Sequence, residues 1–196
     1  VSSSSIGGAP EVCEATPADT FRVAVASLEN TKVRDEIRVE PIRPPQRLAP
    51  FSYAISADVV TGDEDADIAT GRLVLLHDPD GGEAWDGDLR LVAYASAELS
   101  DDMIGDPLLP QVGWSWLISS LEERGATFTA QGGTVTQTTS TRFGDVHGPT
   151  STTSLELRGS WTPTSPDLSA HLLAFVDLLA TAAGLPPEGV TVLSRS

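Results

Sequence analysis

The chain has 196 residues, 40% of them apolar and 20% charged, and a formal net charge of -16. That length and balance describe one globular domain with a core large enough to fold without disulfides or metals. One lysine and eleven arginines against 28 acids argue against direct nucleic-acid or anionic-membrane binding, because phosphate contacts need basic side chains. The single cysteine, Cys13, excludes an internal disulfide and a cysteine-based zinc site, and makes a reducing cytoplasm the simplest location.

Residues 1–15, rich in serine and glycine, read as a flexible tail ahead of a single domain over 16–193. VSSSSIGGAP has neither a basic nor an apolar segment of signal-peptide type. Thr16-Pro17-Ala18-Asp19 is a helix start: Thr16 caps, Pro17 suits the first turn and Asp19 complements the dipole. Phe21, Ala24, Val25 and Leu28 share one face of the helix that follows, to about Asn30. EIRVEPIRP alternates like a strand, but Pro41, Pro44, Pro45 and Pro50 confine it to a sheet edge or an extended arm.

SYAISADVV alternates again, and GRLVLLH is a short buried strand. Between them lies the acidic loop TGDEDADIAT. DPDGGEAWDGD reads as a long loop leading into the strand LRLVAYASAEL. A second acidic loop, SDDMIGDPLLP, precedes a helix over QVGWSWLISSLEERG that stops at Gly125. Two long strands follow, TFTAQGGTVTQTTSTRF with a bulge expected at Gly132-Gly133, and TSTTSLELRGSWTP. Threonine on both faces makes this pair read as a weakly buried hairpin with a docking edge. DLSAHLLAFVDLLATAAG is the last helix, too short and too charged to span a bilayer.

The fold class is therefore α+β: an antiparallel sheet with about three packed helices, ordered roughly α-β-β-β-α-β-β-α plus a proline-rich arm. That order resembles small secretion-chaperone-type binding domains, a likeness that implies architecture and not function.

Motifs for phosphate loops, dinucleotide binding and serine-nucleophile elbows are absent, and no histidine spacing suits a metal. His77 with Asp78 and Asp80 is the nearest thing to a cluster, but DPDGG is turn chemistry. GDEDADIAT lacks the glycine and the last glutamate of a calcium loop. Asp101-Asp102 reads as solvated, and Asp145 with His147 in GDVHG as a hairpin tip. No cofactor, metal or catalytic residue is expected.

Three segments together carry a resemblance: ENTKVRDEIRVEPIRPPQRLAPFSYAISADV, GWSWLISSLEERGA and LRGSWTP. They resemble an actinobacterial family of unknown function, numbered 3000, over roughly residues 17–193. The resemblance implies a cytoplasmic bacterial protein and brings no activity, cofactor or site residue with it.

Three functions remain. The first is a non-catalytic adaptor that holds a protein partner through Arg38, Arg43 and Arg47 on the proline-flanked arm, with Trp85 in its acidic loop as a second contact or a loop anchor. The competing role of those arginines is an internal clasp onto the chain's own acids. The second is an enzyme or small-ligand protein with a cavity between sheet and helices, lined by Tyr53, His77, Tyr94 and Trp116 with Glu98 as a base. The third is a homodimer using Trp114 or Trp116.

Overall fold

The computed structural model describes residues 16–60, 69–82, 84–99, 106–145, 147–148 and 150–188. The tail with Cys13, the acidic segment 61–68 and Asp101-Asp102 lie outside these residues.

Helix α1 spans Pro17–Asn30 and starts as its sequence requires. Thr16 Oγ1 accepts from the Asp19 backbone N–H at 3.2 Å, and the Asp19 carboxylate accepts from the Thr16 N–H at 3.3 Å. This reciprocal box satisfies donors that a helix start otherwise leaves unpaired. The hydroxyl and amide bonds to Thr16, with Arg22 nearby, hold the Asp19 carboxyl below its usual range. Helices α2 (Leu109–Glu123) and α3 (Ser169–Ala182) end at Gly125 and Gly184, both with φ near +70°. There Ala126 N–H donates to Leu121 O and Leu185 N–H to Ala180 O, the six-to-one closure that a left-handed glycine permits.

Six strands form one antiparallel sheet: β1 (Ile37–Ile42), β2 (Phe51–Val59), β3 (Ala69–Gly82), β4 (Gly87–Leu99), β5 (Phe128–Thr141) and β6 (Ser151–Pro163). Their spatial order is β1-β2-β3-β4-β6-β5, so the arm is half strand and half loop, and β1 and β5 are the edges.

All three helices pack on one face. Strand alternation sends Ile55, Leu73, Leu75, Leu91, Leu157 and Trp161 into that side. Phe175 and Leu179 of α3 close over β3 at Gly71, where an added Cβ would lie 2.6 Å from Phe175 Cζ. Helix α2 sits on β5 and β6 at an equally tight point, where a Cβ on Gly113 would lie 2.8 Å from Leu155. The fold is the expected single α+β domain.

Three local expectations are corrected. Strand β3 runs through DPDGG to Gly82, and the turn is confined to the residues just before Gly87. Its ladder is irregular between His77 and Gly82, where Gly81 takes φ +70° and Asp78 Oδ1 accepts from the Asp80 N–H. The bulge in β5 falls between Thr129 and Gly132, at Ala130 with φ +50°. Gly133 is regularly paired and has a packing reason instead, since a Cβ there would lie 2.6 Å from the Trp114 ring. Finally, the β5–β6 pair is not weakly buried as a unit. β6 is central, with Thr153, Leu155 and Leu157 buried beneath α2 and α3, and the exposure belongs to β5 alone.

Candidate functional site

With every helix on one side, the other face of the sheet has no covering layer among the described residues. The register decides what it displays. One row across all six strands reads Glu40, Ser56, Arg72, Tyr94, Arg158, Thr134. Arg38 and Asp58 belong to the next row, and Ile42, Val74 and Val92 to the one on the other side. Arg90 shares this face as well, so it carries six of the eleven arginines once Arg43 and Arg142 are included.

Tyr94 is flanked on its own row by two arginines. The Arg158 guanidinium stands 5.7 Å above its ring. Tyr94 Oη donates to Glu156 Oε2 at 2.9 Å, and Arg158 pairs with Glu156 Oε1 at 2.9 Å. The tyrosine ring is thereby fixed by two neighbours, both on β6. On its other side Arg72 makes no ion pair or side-chain hydrogen bond with any described residue. A groove of about 1010 Å³ runs here, with Ile42, Val74 and Val92 as its apolar floor and Arg43, Arg72 and Arg158, together with one carboxylate, Asp58, around it. It is roughly at the upper end of the volumes of ligand clefts.

The arginines of segment 33–47 divide. Arg34 is the clasp: its side chain is 6% exposed, it chelates Glu36 at 3.1 and 3.2 Å, and it donates to Pro186 O at 3.1 Å. The hydrogen bond to Glu36 raises its pKa against the opposing effect of burial. Arg38, Arg43 and Arg47 are exposed and make no ion pair with any described residue. Arg38 and Arg43 lie at the open face, and Arg47 lies in the loop beyond with φ +68°.

The other candidate residues do not converge. Tyr53 is on the helix side and donates to Glu29 Oε1 at 3.1 Å; burial and that carboxylate push its phenol up to about 12. His77 is buried beside Phe21 and Phe51, its Nδ1 donating to the Asp88 carbonyl at 3.0 Å. Glu98 is exposed on the open face, near the far end of β4. Trp114 is half-buried against Gly133 and Gly159. Trp116 is half-buried at a crevice of about 10 Å³ between α2, α3 and the sheet, room for at most one water. Trp85 is half-buried on Gly82, and its carbonyl accepts from Thr162 Oγ1, so it anchors its turn. Asp145 and His147 are both exposed. Among the described residues no group of three potential ligands could hold a metal, and no helix is long and apolar enough to cross a membrane.

Two structural residues escaped sequence reasoning. Arg90 donates to Ala130 O at 2.8 Å, Thr162 Oγ1 at 3.0 Å and Ser160 Oγ at 2.7 Å. It ties the β5 bulge to the sheet, and burial lowers its pKa. Arg124 grips Asp177 with bonds of 2.6 and 2.8 Å and reaches Glu188 at 3.2 Å, locking α2 to α3. Neither has a signal in the local sequence, because both partners are distant along the chain.

Fold and face together define a helix-backed antiparallel sheet with a polar, arginine-bearing open side. The family model described as a protein of unknown function (DUF3000) matches residues 17–191, and the chain belongs to that family. No curated protein and no solved structure matches it.

Proposed function

We propose that this protein is a non-catalytic binding module whose partner protein lays an acidic, extended segment along the open sheet face. One observation carries the reading: Arg43 and Arg72 border a groove with an apolar floor and pair with no acid among the described residues, so that three arginines face the single lining carboxylate of Asp58. Arginine left unpaired at a surface is a donor set awaiting carboxylates, and its fork binds them in two-pronged fashion. Ile42, Val74 and Val92 beneath it favour a segment that alternates acids with aliphatic residues, since an extended strand presents the two kinds of side chain to opposite sides.

The net charge of -16 does not forbid an acidic ligand. Charges more than about 8 Å away are largely screened at physiological ionic strength, so the local arginines set the sign that a docked segment meets. We place the protein in the cytoplasm of an actinobacterium, on its lone cysteine and on the resemblance of its arm and central helix. A small anionic metabolite is the second reading, favoured by the groove's volume; a thermal-shift screen with carboxylates and phosphates addresses it.

The deciding experiment is a pull-down from native extract, read by mass spectrometry, comparing the wild type with Arg43→Glu/Arg72→Glu. A partner held by the wild type, released at high salt and lost by the variant supports the reading. A partner retained by a folded variant sinks it.

A further inference from the structure

The two edges of the sheet are unlike. β1 is six residues long and carries Arg38, Glu40 and Pro41. Charges and proline are the devices by which edge strands resist pairing with another chain. β5 is fourteen residues long and has neither a charge nor a proline. It lies in the longest stretch of the chain without Asp, Glu, Lys or Arg, Gly125 to Thr141.

The ladder shows which of its backbone groups are free. The Arg142 N–H donates to Thr150 O at 2.8 Å, and β5 pairs with β6 in the same register from Thr141 back to Gly132. Hydrogen-bonded pairs alternate in an antiparallel ladder. The even residues of β5 therefore face β6, and Gly133, Val135, Gln137, Thr139 and Thr141 turn their N–H and C=O groups outward. Among the described residues no strand pairs with that side. The bulge at Ala130, held by Arg90, ends the regular edge at one end.

We propose that β5 pairs with β5 of a second copy, antiparallel about a two-fold axis, to make one continuous sheet of twelve strands. An uncharged edge offers no sign by which to select a foreign acidic or basic strand. It does let two molecules of charge -16 approach where neither presents a like charge. Centring the axis on Gln137 pairs Val135 with Thr139 and Gly133 with Thr141 on the outward, hydrogen-bonded positions. Between them Thr136 meets Thr138 and Thr134 meets Ser140, pairs of hydroxyl and β-branched side chains that suit cross-strand neighbours. Continued one step, the register sets Phe143, 81% exposed, at the level of Gln131 of the second copy, where it loses water contact. The assembly closes at two, because β5 is consumed and the remaining edges are the protected β1 strands. The proposal does not rest on the groove.

Sedimentation equilibrium of the full chain tests it, with Gln137→Pro and Gln137→Lys beside the wild type. The expected wild type approaches twice 20.6 kDa. Both variants stay at the monomer mass with an unchanged circular-dichroism spectrum, because the Gln137 N–H points away from β6 and pairs with no described strand, and its side chain is only half-buried, at the margin of the helix-covered face. Hydrogen exchange supplies the second readout: the amides of Val135, Gln137 and Thr139 are protected in concentrated solution and lose protection on dilution. A wild type that remains at 20.6 kDa up to its solubility limit overturns the proposal. So does a dimer that survives both variants, or one whose odd-numbered β5 amides exchange freely.

Discussion

The indole Nε1 of Trp161 donates a 3.0 Å hydrogen bond to Nδ1 of His171, and both side chains are buried. The bond joins β6 to α3 across the core and uses the imidazole lone pair that a proton would otherwise take. Burial drives the His171 pKa down to about 4, against the opposing pull of Asp167.

That shift makes a pH prediction of definite sign. The unfolded chain, with histidine near 6.5, binds a proton that the folded chain refuses. The contribution is complete above pH 6.5 and is lost as pH falls toward 4, by about 3 kcal/mol. His171→Gln keeps an acceptor for Trp161 and removes the titration. Its urea stability should fall less steeply than that of the wild type between pH 6.5 and 4. Parallel curves would show that His171 is not the group responsible.

Gly71 marks the closest approach of α3 to the sheet, with Phe175 Cζ 2.6 Å from the position a Cβ would take. Phe175 is fully buried and has nowhere to move. Gly71→Ala should cost about 1–3 kcal/mol by overpacking. Combining it with Phe175→Leu should recover part of that cost, read as a coupling energy in a double-mutant cycle. Strict additivity of the two changes would refute the contact.

Arg124 carries the only paired arginine fork between α2 and α3 among the described residues. The side-chain hydrogen bonds it donates to Asp177 hold its guanidinium above the usual arginine range. Arg124→Ala should destabilise by about 1–2 kcal/mol, discounted for partial exposure of both groups. Asp177→Asn should do nearly the same. The loss should show in urea unfolding and in faster exchange in the last turn of α2; an unaffected α2 would count against the lock.

Arg90 supports a strained point, Ala130 at φ +50°. Arg90→Met keeps the side chain's length and removes three donated bonds. We expect a loss of about 1–3 kcal/mol and exchange protection that falls at residues 128–133 while β3 and β4 stay protected. A uniform loss across the sheet would argue that Arg90 is a general packing residue instead.

The groove arginines should behave in the opposite way. Arg43 and Arg72 are exposed and unpaired among the described residues, so Arg43→Glu/Arg72→Glu should change stability by no more than about 0.5 kcal/mol per site. A melting temperature well below that of the wild type would reveal a structural role for one of them.

Local chemistry settled much of this protein in advance. Thr16 and Asp19 wrote the first helix start, Gly125 and Gly184 wrote two helix ends, and the alternation of SYAISADVV set which side chains share a face. These features depend on residues within a turn or two of each other, where dihedral preference and hydrogen-bond reach suffice. Pairing across the chain was a different matter. That Arg34 clasps Glu36 and Pro186 while Arg43 pairs with no described residue, that Tyr94 lies between Arg72 and Arg158, and that β5 rather than β6 is the exposed edge all follow from the tertiary arrangement of the strands. A shift of one residue in register would move strand side chains such as Arg72, Tyr94 and Arg158 to the other face. Strand order and register are fixed by how the helices bury the sheet as a whole, at contacts such as Phe175 on Gly71 and Leu155 on Gly113. Those contacts join residues 104 and 42 positions apart, and no local pattern announces them.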